Sequence, residues 1–442
     1  MKAIDALSQR GREAYGNVLR VDFEVFFEAM SNLYHRKDNP KGTFPLNTAE
    51  NKLSWSMLKE KLELVSSEKS IPPWVSGYTS CLGNDFFREA MAGFLEQFLT
   101  HCPVHPDQLG VSSGATATIE MTTWVLGNPG DVAVFPAPCY PVYSKDIGNK
   151  AGVERYDLIT HHELSEIKEK PTLSIKHLKK ARKDIEKAGK TFKLLVLTTP
   201  DNPTGTIYSK KKLTKIANWC IDNHIHLIVN EVYGLSLVDT THPAIKEDYK
   251  KQRTFTSFTQ IMRKQQSPYL HLWYALSKDL GISGFRIGLV HSYNEAFIKA
   301  YDNLNAPYLV SNHTQWLISM ILSDHHFMRE YIEYNQKKLT EAYVLVIKYL
   351  KNLQIPYVPA RGSLFIWADF SEFLVQNSQR AETRFWEKLY RKTGILLTPG
   401  EGFGHTKRGL FRIVYSCFDV PDLTVAMERL NQFVQKARAE ER

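Results

Sequence analysis

The chain has 442 residues, with 56 Lys and Arg against 47 Asp and Glu, a formal net charge of +9 at pH 7. That length suits a large domain plus a smaller one, and a composition of 43% apolar and 23% charged residues excludes disordered and fibrous classes. The positive excess could serve a nucleic acid, but much of it lies in segments such as 177–185, where Leu178, Ala181 and Ile185 recur at helical spacing with charges between them.

That is the pattern of a solvated helix face, and no zinc-finger, RNP or basic-zipper motif argues for a nucleic-acid partner. The opening MKAIDALSQR lacks the apolar stretch of a secretory signal, and no later run is long enough to span a bilayer. Cys81, Cys102, Cys139, Cys220 and Cys417 are scattered, odd in number and free of any C-x-x-C pair, poor material for a disulfide framework or a zinc site. A cytoplasmic protein with no membrane partner is expected.

In chain order, Ser112–Glu120 places small residues at the opening of a helix. The runs Val132–Phe135, Leu194–Leu197, Leu227–Val229 and Leu272–Tyr274 read as strands, each followed by a loop of Pro, Gly, Asn or Ser. Strands alternating with amphipathic helices predict an α/β domain with a mostly parallel sheet, whose ligands bind beyond the carboxyl ends of the strands. A basic loop between Lys246 and Gln266 is a candidate cover for the entrance. From about Gln315 the chain turns helical, through Met328–Ile332 to Tyr349, then strand-rich around Ser363–Trp367, and it ends in a helix near Leu423–Ala437. We expect residues 46–310 to form the large domain, 311–442 a smaller α+β domain, and 1–45 a segment packing with the smaller one.

Chemistry-bearing residues lie in the loops. Lys278, at the end of an apolar strand beside Ser277, would have a confined, partly desolvated amine that deprotonates easily, as a nucleophilic amine must. Arg286, in Gly284-Phe285-Arg286-Ile287-Gly288, offers a fork that matches a phosphate. Gly114, Ala115 and Thr116 open a helix whose free N–H groups suit an anion, although the same residues also suit an ordinary capped helix start. Asn202 sits in Asp201-Asn202-Pro203-Thr204-Gly205, which alone is only a turn, and Asn230 and Tyr233 stand at the end of a buried strand. The histidine pairs His161-His162 and His325-His326 match no H-E-x-x-H motif and read as solvated loop residues, so no metal is expected.

Taken together, the order and spacing of these segments resemble the fold-type-I pyridoxal-phosphate enzymes, the aspartate aminotransferase superfamily. Within it, Ala49-Glu50-Asn51, Gly127-Asn128-Pro129-Gly130-Asp131, Leu276–Gly281, Val310–Gln315 and Phe411-Arg412-Ile413 are similar to the 1-aminocyclopropane-1-carboxylate synthase branch. The likeness runs over nearly the whole chain. It implies a large domain built on a seven-stranded, mostly parallel sheet, and pyridoxal phosphate held as a Schiff base on Lys278, which then moves the α-proton. It implies that Arg286, Ser277, Gly114, Ala115 and Thr116 hold the phosphate, that Tyr140 stacks on the ring, and that Asn202 and Tyr233 bond the ring hydroxyl. Arg412 would take the substrate carboxylate. Tyr78, in Gly77-Tyr78-Thr79-Ser80, would reach the phosphate of a neighbouring subunit, which makes the active unit a homodimer.

Three positions depart from the family pattern. Ala275 replaces a serine that touches the phosphate, a loss of one hydrogen bond worth about 0.5–1.5 kcal/mol. Asn230 replaces an aspartate that keeps the pyridine nitrogen protonated, which leaves a weaker electron sink. Cys81 replaces a tyrosine of the synthase branch. The expected function is conversion of an L-amino acid, of aminotransferase type. Two alternatives stay open: a lyase or γ-substitution enzyme acting on S-adenosylmethionine, with Glu50 near the sulfonium, and a non-catalytic protein that keeps the fold.

Overall fold

The computed structural model describes residues 3–16, 20, 22–167 and 169–440. A short first strand, β1 (Phe44–Pro45), precedes the large sheet. That sheet comprises β2 (Leu109–Ser112), β3 (Val132–Ala137), β4 (Glu154–Ile159), β5 (Phe192–Thr198), β6 (His226–Asn230), β7 (Leu270–Ala275) and β8 (Gly288–Ser292). Its order is β2-β8-β7-β6-β5-β3-β4, parallel from β7 through β4 and antiparallel where β8 meets β7 and β2.

The sequences explain the pairing. Every residue of β6 and β7 is buried, and their near-unbroken apolar runs suit strands covered on both faces by helices. Proline and glycine punctuate the ends, as at Pro200 after β5, so polar loops gather along one edge of the sheet. The seven strands and their mostly parallel arrangement are those of the expected fold class.

The second sheet joins β9 (Phe365–Asp369), β11 (Thr398–Pro399) and β12 (Leu410–Val414) in the antiparallel order β11-β12-β9. The remaining strand, β10 (Ile395–Leu396), runs parallel to β1, with Phe44 opposite Ile395. Ala29, Tyr34, Phe44 and Leu46 share the apolar core of this smaller unit with Leu364, Phe411 and Leu430.

One long helix, His325–Asn352, serves both units. Its Met328 and Tyr331 pack in the core under the large sheet, whereas Leu339, Tyr343 and Leu350 pack in the other. The helix Asn312–Leu322 before it also contributes Trp316, Ile318 and Ile321 to the first core. Along this helix the packing changes from the first core to the second between Tyr331 and Leu339.

One expectation about loops is corrected. His161 is buried, at 4% exposure, with its ring centroid 5.0 Å from that of His405, while His325 and His326 open the long helix. No residue of the chain from Lys246 to Gln266 lines the cavity at the strand ends. Tyr249 donates to the Ala360 carbonyl at 2.5 Å, and Ser257 Oγ donates to buried Glu231 at 2.6 Å, which ties this stretch to the body of the protein.

Candidate active site

At the carboxyl ends of β5, β6 and β7, a cavity of about 220 Å³ opens between the two units. The expected residues Ala115, Thr116, Tyr140, Asn202, Asn230, Tyr233, Ser277, Lys278, Arg286 and Arg412 all line it. Lys278 follows β7 directly, and its Nζ donates to the Ala49 carbonyl at 2.6 Å. Burial first, then the nearby Arg412, push its amine down to about 8. A neutral amine is thus accessible near neutral pH, where an ordinary lysine is charged.

The Ala49-Glu50-Asn51 motif is what brings that carbonyl to the lysine. Asn51 Nδ2 donates to Asn335 Oδ1 at 2.7 Å, and the Glu50 carbonyl accepts from Ser416 Oγ at 2.6 Å. Gly281, at φ +68°, lets the backbone pass, since a Cβ there would lie 2.4 Å from the Asn51 carbonyl oxygen. The Glu50 side chain itself pairs with Lys52 at 3.3 Å and lies outside the cavity lining.

The phosphate end has the form of an anion cradle. The helix Ala115–Leu126 starts after Gly114, which takes φ +95° and carries no side-chain cap, so the first helical N–H groups have no acceptor within the helix. A Cβ on Gly114 would lie 2.2 Å from Arg286 Nη2, and one on Gly288 would lie 2.4 Å from the Gly114 carbonyl carbon. Glycine at both places allows Arg286, itself left-handed at φ +56°, to lie across the helix start. Arg286 spends its fork on the carbonyls of Ser283 and Ser113, at 2.9 and 3.3 Å.

At the other end, Arg412 rises from β12 into the core. It donates to Asn202 Oδ1 at 3.0 Å and to the Asn47 carbonyl at 2.7 Å, and its buried Nε has no partner. Burial and then the Arg20 charge lower it to about 10. No carboxylate pairs with it among the described residues, so it offers an uncompensated, pre-positioned fork. Tyr233 sets its ring edge-on to Phe365 at 5.1 Å, and Tyr140 sits edge-on to Tyr143 at 5.3 Å. Tyr78 is fully exposed at 102% and lies outside the lining.

Among the lining residues to which the sequence reading gave no role are Arg20, Tyr143, Asp146 and Thr198. Tyr143 and Asp146 sit one turn apart on the short helix Tyr143–Gly148, and that i, i+3 spacing is the one signal that could have paired them. Tyr143 is bonded to Thr198 at 3.2 Å and accepts from Asn230 Nδ2 at 3.0 Å. Asp146 is buried with Oδ2 unpartnered, and desolvation, then Glu120, raise it to about 7.

The whole chain falls in place against known proteins. A family model described as aminotransferase class I and II matches residues 48–430. The chain belongs to this family. Class I and II aminotransferases use pyridoxal phosphate, and this cavity fits that group: an anion cradle at one end, a nucleophilic lysine in the middle, an aromatic ring on a wall. The chain is 28% identical over 426 residues to 1-aminocyclopropane-1-carboxylate synthase 7 of Arabidopsis thaliana, covering 92% of this chain and 90% of that one. It is 29% identical over 422 residues to synthase 3 of Solanum lycopersicum, covering 92% and 86%. In fold it is similar to an archaeal alanine:glyoxylate aminotransferase, with TM-score 0.79, 18% identity and coverage of 99% and 100%. Aspartate aminotransferase from Thermus thermophilus with maleate gives TM-score 0.77 at 19% identity, with coverage of 96% and 99%.

Among these aminotransferase features, Asn230 has a testable geometry. Its Nδ2 donates to Tyr143 and its Oδ1 accepts from Val232 N at 3.2 Å. An aspartate could keep both contacts, because the Tyr143 hydroxyl can turn to donate. Asn230→Asp is therefore expected to retain the fold and, given the ring contact that the family resemblance implies for residue 230 and the amino-group transfer proposed below, to raise that rate about tenfold, the effect of a carboxylate shifting a neighbouring pKa by about one unit or more. Single-turnover absorbance checks this; an equal or lower rate with the cofactor still bound contradicts it.

Proposed function

We propose that the chain is a pyridoxal-phosphate enzyme of aminotransferase type acting on an L-amino acid, as a cytoplasmic homodimer. One observation carries the reading: the lowered Lys278 amine faces the uncompensated Arg412 fork across a single cavity. Arg412 takes the substrate α-carboxylate in a bidentate grip, which turns the α-carbon towards Lys278. Bound pyridoxal phosphate supplies electron withdrawal from the bonds at that carbon. Lys278 Nζ then moves the α-proton, a task for which an amine with pKa near 8 is matched to neutral pH. Asn202 and Tyr233 orient the ring, Arg286 and the start of the helix Ala115–Leu126 hold the phosphate, and Tyr78 reaches a second copy.

Cofactor uptake should report the lysine directly. As pH rises towards 8, a larger share of Lys278 loses its proton, so the rate of covalent loading is expected to rise about tenfold per unit and flatten above about 8. Stopped-flow absorbance of cofactor-free protein mixed with pyridoxal phosphate measures this; a rate still climbing steeply at pH 10 contradicts the lowered amine.

The likeness to 1-aminocyclopropane-1-carboxylate synthases favours a second reading, the lyase or γ-substitution enzyme acting on S-adenosylmethionine that the resemblance in sequence implied. The two are separated by adding L-amino acids, and in another sample S-adenosylmethionine, to the loaded protein without any keto acid. Loss of the absorbance of the lysine-bound cofactor with an ordinary amino acid supports amino-group transfer. Response to S-adenosylmethionine alone, with methylthioadenosine released, supports the second reading.

A further inference from the structure

A second guanidinium stands at the substrate end of the cavity. Arg20 lines it beside Arg412, and both donate to one oxygen, the Asn47 carbonyl, at 3.4 and 2.7 Å. A shared acceptor makes the two forks immediate neighbours. Arg20 is held from behind: its Nε donates to Asp22 Oδ1 at 2.8 Å, its Nη2 bonds Asp22 Oδ2, and Asn47 Nδ2 donates to that same Oδ2 at 2.7 Å. Its guanidinium carbon lies 5.0 Å from the Phe23 ring centroid. Asp22, at 1% exposure, thus fixes one edge of the fork from inside the protein. Among the described residues, no acceptor meets Nη1, the remaining edge.

We propose that Arg20 reads the substrate's side chain and that the substrate is an amino acid with an acidic side chain. The inference rests on Arg412 holding the α-carboxylate. The cavity carries Arg286 for a phosphate, Lys278 for the cofactor and Arg412 for one carboxylate, which leaves the Nη1 edge of Arg20, beyond its pair with Asp22, for a second anion. The Arg20 charge weighs on Arg412, lowering it further than burial alone while Asp22 offsets part of that effect, and a dicarboxylate would bridge both forks at once. A substrate with a cationic side chain would meet the opposite: two neighbouring guanidiniums, with Asp22 bonded to Arg20 from behind and Glu50 turned away to Lys52.

The test uses the full chain loaded with pyridoxal phosphate and two unreactive acids, succinate and butyrate, followed by calorimetry. Wild type is expected to bind succinate at least about tenfold more tightly than butyrate, the worth of one charge-assisted hydrogen bond. Arg20→Gln should remove that preference while butyrate affinity stays within a few-fold, and Arg20→Lys should restore part of it. Equal binding of the two acids by wild type, or a preference that survives Arg20→Gln, overturns the inference. Binding of neither acid overturns it together with the carboxylate role of Arg412. Equal binding of both overturns it alone.

Discussion

Lys278→Ala is expected to abolish covalent retention of pyridoxal phosphate and to slow amino-group transfer by about 10²–10⁴-fold, the usual contribution of a positioned general base. The fold should survive, because Nζ makes one hydrogen bond, to the Ala49 carbonyl, and its burial disfavours its charge. The Gly114–Arg286 cradle is untouched, so the variant should still take up cofactor, released by dialysis rather than retained. Added methylamine or ethylamine should recover part of the rate, since a small free amine can enter the space left behind. Unchanged turnover, or cofactor that stays attached through denaturation, would contradict the role of Lys278.

A comparable loss is expected from Arg412→Leu. Truncating one side of a buried charged pair typically costs about 2–5 kcal/mol, which corresponds to roughly 30-fold to several thousandfold in kcat/KM for the amino acid. Stability should move the other way or hold. The charged form of Arg412 is disfavoured by burial and by Arg20, so the folded protein gains when that charge is removed, offset by the three acceptors, Asn202 Oδ1, the Asn47 carbonyl and Thr398 Oγ1, that lose a donor. Steady-state kinetics with a thermal melt distinguishes the two effects. A kcat/KM near wild type would remove Arg412 from substrate binding; a collapsed melt would make it a structural residue.

Much of this was legible because parallel α/β sheets sort chemistry by position. Each candidate in the middle of the chain followed an apolar run, and the parallel pairing of β5, β6 and β7 brings Asn230 and the segments that carry Asn202, Tyr233 and Lys278 to one edge. Arg20 was not legible. It lies in a stretch without apolar periodicity, and its meaning comes only from sharing the Asn47 carbonyl with a residue near the other end of the chain. Asp146 was hidden for a related reason: in Tyr143-Ser144-Lys145-Asp146 it looks like any surface carboxylate until packing buries it at 5% exposure. Helical periodicity runs unbroken through Met328–Leu350, while the partner of its apolar face changes between Tyr331 and Leu339, a change that periodicity does not signal. The Glu50 motif was read for its charge, whereas its backbone is what meets the site, through the Ala49 carbonyl.

The decisive measurement is borohydride reduction of the protein loaded with pyridoxal phosphate, then proteolysis and mass spectrometry of the peptides. A pyridoxyl group on the peptide that contains Lys278, and on no other, is the result these residues predict. Cofactor fixed to a different lysine, or none fixed after saturating incubation at pH 8, would contradict it.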